Sequence, residues 1–164
     1  MLDRIFPKAF DNRYRGHWLG VVLFVLVILL KAVQGVNSIV MTRKVMIGAD
    51  GIPLDSFNPI AANTAVEMFA LLGMYLLVLP LIGAVALVRY RAMIPFLFLM
   101  LLAVMLGSRG LNYLHPIART AAAGGHPIGM YVNLGILALA VIGFALSLTH
   151  SGAREPSLAK GTDR

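Results

Sequence analysis

Lys31, Gln34, Gly35 and Ser38 fall in one stripe at helical spacing inside an otherwise apolar segment. Asn63, Thr64 and Glu67 share a face at the start of a second such segment. Arg109, Asn112 and Tyr113, followed by His115, share one near the end of a third, and His126, Tyr131 and Asn133 open a fourth. An ammonium, a guanidinium, a carboxylate, imidazoles and amides drawn from four segments form a donor and acceptor set suited to an anionic headgroup, a carboxylate or a quinone carbonyl. Each ionisable side chain placed in hydrocarbon costs ~2.5–3.5 kcal/mol on insertion scales, so such groups face a bundle interior or water and find partners. The simplest pairing sets Lys31 or Arg109 against Glu67. That pair would fix helix register, or form the floor of a pocket.

The candidate ligand-binding set is therefore Lys31, Gln34, Glu67, Arg109, Asn112 and His115. Lys31 and Arg109 would hold the anionic or carbonyl group, Glu67 would orient them, and the amides would complete the hydrogen bonding. The reading without function has Lys31 reaching the interface along its own stem, since Asn37 lies only ~9 Å farther along a helix. An enzymatic alternative uses the same residues on a lipid-soluble substrate, with Glu67 or His115 moving the proton and Arg109 steadying developing negative charge. A lesser alternative is bis-histidine ligation of haem b, for which His17, His115, His126 and His150 are the available imidazoles; all four sit at or beyond the ends of the apolar segments. The repeated His-Pro-Ile at 115–117 and 126–128 reads most simply as two helix boundaries. No glycine-rich phosphate loop, H-E-x-x-H or G-x-S-x-G is present, and Asp50 and Asp55 lack the spacing of a calcium loop. With no cysteine in the chain, disulfides, thiolate catalysis, iron–sulfur ligation and cysteine-ligated zinc are excluded. The cofactor is left unknown.

The elements that must position these groups are membrane helices. Of 164 residues, 59% are hydrophobic and 13% charged, a balance that an ordinary soluble domain of this size does not have. The first block, Trp18 to Val40, opens with an uncharged run ending at Leu30; with no small-x-small site after that run, it reads as an uncleaved signal-anchor helix. The second, Asn58 to Val88, has Asn58 as N-cap and Pro59 at the first helical position. A third, Ala92 to Ser108, is short for a span but has nothing to stop it before Pro116, and the fourth covers Ile128 to Thr149. The expected fold class is all-α, an antiparallel four-transmembrane-helix bundle over residues 17–150. It is flanked by an amphipathic tail (1–16), in which Leu2, Ile5, Phe6, Ala9 and Phe10 have helical spacing but Pro7 interrupts, and by a disordered tail (151–164).

Basic residues set the expected orientation. Arg4, Lys8, Arg13, Arg15, Arg89, Arg91, Arg154, Lys160 and Arg164 fall on one side, against Arg43, Lys44, Arg109 and Arg119 on the other, which puts both termini in the cytoplasm and the polar level in the outer leaflet of the cell membrane. The net charge of +7 is thus a topology signal beside anionic lipid, not the footprint of a nucleic-acid binder. The expected partners are the bilayer and, through the small-residue spacings Gly16/Gly20 and Gly143/Ser147, a second copy or other membrane subunits. The function expected from these features is a non-catalytic binding or accessory protein with an outer-leaflet pocket.

Overall fold

The computed structural model describes residues 5–7, 9, 11–117, 119 and 127–149. Its four long helices are α1 (Trp18–Val40), α2 (Pro59–Arg89), α3 (Ile94–Leu114) and α4 (Ile128–Leu148). All four are long and apolar enough to cross a membrane. Their ends are set by the local chemistry expected of them. Asn58 caps α2 by accepting the Ala61 N–H at 2.8 Å, and Pro59 follows at a position where no N–H is needed. His17 caps α1, its ring nitrogen accepting the Leu19 N–H at 3.3 Å. Beyond Val40 the chain makes a helical turn, Thr42–Lys44, a π turn, Val45–Ala49, and a 3-10 turn, Leu54–Ser56, before entering α2. The third apolar segment does run past Ser108, to Leu114, with His115 closing it.

The helices alternate in direction, so the bundle has two unlike ends. At one end, here the closed end, α1 and α3 begin and α2 and α4 finish. At the other, the open end, lie the 41–58 connection, the end of α3 and the start of α4. The helix α1 is central, packing most extensively on α2 and next on α4; α3 leans on α4, while α2 and α3 share little surface. Lipid tails are as apolar as leucine, so helix association in a bilayer rests on close packing more than on hydrophobic transfer. The α1–α2 seam is built accordingly. A Cβ on Gly73 would lie 2.9 Å from Ser38 Cβ and 3.0 Å from the Gly35 carbonyl oxygen, so these backbones meet only because both positions lack side chains.

The core lies at the closed end. Phe24 of α1 and Phe98 of α3 are fully buried and meet edge to face, ring centroids 5.1 Å apart, with Val27, Ile94 and Ala140 around them. Gly143 of α4 abuts the Phe98 ring so closely that any Cβ there would collide with it. Large apolar side chains such as Val40, Ile60, Tyr75 and Val88 are more than 70% exposed, which suits a surface solvated by acyl chains.

The described part of the N-terminal tail seals this end. Phe6 packs on Phe96 with centroids 5.8 Å apart, the Asp11 carbonyl accepts the Ala92 N–H, and the His17 N–H donates to the Leu146 carbonyl. From Asp11 to His17 the tail is not helical. Leu2 and Phe10 of the expected amphipathic helix, and the whole of 151–164, lie outside the described residues. Tyr14 is tucked beside Gly16 and Gly20, its hydroxyl buried without a hydrogen-bond partner, and burial pushes the phenol up to about 12.

Candidate functional site

Lys31 is placed thirteen residues into α1, ~20 Å from Trp18 and ~14 Å from Val40, and is only 7% exposed. Its stem does not carry the ammonium out to the interface. Nζ donates to Gln34 Oε1 at 2.9 Å and to Asn133 Oδ1 at 3.0 Å. The helical spacing from Lys31 to Gln34 brings the first acceptor onto the same face. Asn133 arrives from α4, and its orientation is fixed because Nδ2 donates to the Gly129 carbonyl one turn earlier at 3.0 Å, leaving Oδ1 to face the lysine. Gln34 Nε2 also reaches Asn133 Oδ1, at 3.4 Å. The triad is thus closed upon itself, except that an ammonium has three N–H groups and only two are engaged.

Among the described residues no carboxylate forms an ion pair with it, and the only ion pair is Arg15 with Asp11, at 3.2 Å, at the closed end of the bundle. A buried cation held by neutral amides alone retains its charge uncompensated. That is an arrangement which an anion or a strongly polar oxygen relieves.

The triad forms part of the wall of a cavity of about 830 Å³ toward the open end. The wall is two-sided. On the α1 and α4 side lie Lys31, Gln34, Asn37, Ser38 and Asn133; on the α2 and α3 side the lining is mainly apolar, with Phe69, Leu72, Leu76, Met100, Val104 and Met105. Toward the open end Arg109 and Ser108 of α3 and Asp50 of the 41–58 connection complete it. Burial raises the Asp50 carboxyl above its ordinary value, and the positive charge of Arg119 acts in the opposite direction. Arg43 braces the connection against α2, donating to Asn63 Oδ1 at 2.7 Å.

The structure therefore brings together Lys31, Gln34 and Arg109 and leaves Glu67, Asn112 and His115 outside the cavity wall. Glu67 is exposed because α2 docks on α1 through its small residues Ala62, Gly73, Gly83 and Ala86, and Glu67 falls off that face. The expected Lys31–Glu67 and Arg109–Glu67 pairs are not formed. On α3 the last buried residue is Met105; beyond it Asn112 and His115 are exposed, and Arg109 is half-buried on the cavity wall. Two of the three residues of the acid–base alternative are thus absent from the cavity. For the haem alternative, His17 and His115 lie at opposite ends of the bundle, while His126 and His150 lie outside the described residues. Among the described residues no cluster of three or more metal-ligating side chains occurs.

Asn37, Ser38, Asp50, Ser108 and Asn133 are additional polar lining. Asn133 was legible as the lone strongly polar residue of the fourth span, one turn inside it. Asp50 carried no sequence signal beyond a turn-rich surrounding.

Comparison with known proteins adds no constraint: no family model, no curated protein and no solved structure matches the chain.

Proposed function

We propose that this chain is a membrane-embedded binding protein that holds a lipophilic ligand in the cavity between its four helices, with the ligand's anionic or carbonyl oxygen on Lys31. One observation carries the reading: an ammonium buried without a counter-ion among the described residues forms part of the wall of an 830 Å³ space, with two of its three N–H groups engaged by described partners. Ligand sites of ~300–1,000 Å³ lined by apolar side chains and a few convergent polar groups are the usual form of a small-molecule pocket. Gln34 and Asn133 hold the Lys31 amine in place, and Arg109 adds a second positive charge toward the open end.

The excess of basic residues beside the closed end supports a cell-membrane topology with both termini cytoplasmic, which opens the site toward the outer leaflet. The test is native mass spectrometry of protein extracted in polymer-bounded lipid discs, wild type beside Lys31→Met. A discrete lipophile retained by the wild type and lost from a correctly folded Lys31→Met supports the reading; equal retention by both removes Lys31 from the site and overturns it.

A further inference from the structure

The 830 Å³ cavity is lined by all four helices and the 41–58 connection. Its polar wall belongs to α1 and α4, which pack on one another, whereas its apolar wall belongs to α2 and α3, which barely touch. Several residues that line it are nevertheless substantially exposed: Leu72 at 51%, Tyr75 at 74% and Val78 at 48% on α2, Val104 at 47% on α3, and Ile128 at 65% and Val132 at 45% in the first turns of α4. A side chain that both lines a cavity and faces outward marks a rim. The rim on α4 lies at the open end, where that helix begins, whereas the rims on α2 and α3 lie in the central part of their spans, on either side of the sparsely packed α2–α3 gap, and are apolar or aromatic.

We infer that the gap between α2 and α3 is a lateral portal, and that the ligand is a bilayer amphiphile with a compact anionic group, which reaches Lys31 through the gap while its hydrocarbon chain trails between Leu72 and Val104 into the membrane. This rests on the binding reading above and adds to it the ligand class and its route. Charge complementarity selects the head: two cations, Lys31 and Arg109, stand on the cavity against one carboxylate, Asp50, which already has Arg119 acting on it. The apolar rims select the tail, because a polar chain leaving through them would lose its hydration without compensation. The open side also means that the cavity volume limits the size of the head and the first part of the chain, not the full length of the chain.

The test uses the absence of native cysteine. Leu72→Cys/Val104→Cys protein is reconstituted in phosphatidylcholine discs, free or with the gap tethered by a bis-maleimide linker, and exposed to a fatty acid carrying a mid-chain diazirine. The expected result is labelling of α2 and α3 peptides in the untethered protein. Labelling should fall at least tenfold on tethering, and likewise for the matched fatty alcohol and for Lys31→Met, while excess butyrate or inorganic phosphate leaves it unchanged. Undiminished labelling after tethering overturns the portal and leaves the binding site standing with access from the Asp50 side; equal labelling by the alcohol overturns the anionic head group. Competition by butyrate or phosphate points to a water-soluble anion and overturns the amphiphile. If the untethered protein is not labelled above a lipid-only control, and native mass spectrometry finds no Lys31-dependent lipophile, the binding reading fails with it.

Discussion

The two ends of the bundle use the same four helices for opposite purposes. At the closed end, rings and small residues interlock: Phe24 against Phe98, Phe98 against Gly143, Ile28 and Phe24 against Gly83. At the open end the same α1 carries Lys31, Gln34 and Ser38, α3 is unburied beyond Met105, and α4 has no buried residue before Ile136. In a bilayer, where tight packing supplies much of helix association, this contrast places the stability at one end and leaves the other free to keep a space. Packed and hollow regions of one protein need not compete if they are stacked along the membrane normal.

The contrast can be broken most severely at its packed end. Gly143→Val should prevent accumulation of folded protein, because its side chain meets the Phe98 ring, and overpacking of this kind costs ~1–3 kcal/mol or more. Phe98→Ala is expected to cost at least ~2 kcal/mol. That is less than the ~3–5 kcal/mol of a water-soluble core, because lipid replaces water as the reference and only the packing part remains. Val104→Ala, on the cavity rim, should change stability by less than ~0.5 kcal/mol. Unfolding in mixed micelles by a denaturing surfactant ranks all three, and a rim substitution as costly as Phe98→Ala would abolish the distinction between the ends.

Much of the architecture was readable in the residues. Uncharged runs gave the spans, Asn58-Pro59 gave the start of α2, and Pro116 bounded α3. The site was readable only in part, for a rotational reason. Helical spacing tells which polar residues share a face with each other, not which face meets a neighbouring helix. Lys31 and Gln34 share a face that turned out to be internal. Asn63, Thr64 and Glu67 share one that is external, because Gly73 and Gly83 decide which side of α2 docks on α1. Asn112 and His115 are on the stretch of α3 beyond Met105, where no residue is buried, and nothing in the spacing of polar residues reveals where along a helix burial stops.

Two titrations sharpen the contrast with smaller effects. Asp50 has a raised folded value, so its contribution to stability is present below the ordinary carboxylate range and is lost as pH rises through the folded value. Asp50→Asn is therefore expected to raise Tm by a few degrees at neutral pH and to have no effect in acid, as read by thermal melts across pH. Tyr14, raised to about 12 at the closed end, follows the same sign at alkaline pH. Stability should decline as pH climbs from about 10 through about 12, and a late ultraviolet phenolate signal should appear near the upper end of that range; Tyr14→Phe should remove both effects.

The central claim is that the Lys31 ammonium takes its missing partner from a ligand. Carbon-13 NMR of carboxyl-labelled oleate, added to wild-type protein in phosphatidylcholine discs, addresses it directly. The expected result is a separate bound carboxylate resonance that vanishes in Lys31→Met and survives in Glu67→Gln. A bound resonance that persists in Lys31→Met, or its absence from the wild type at saturating oleate, would contradict the claim.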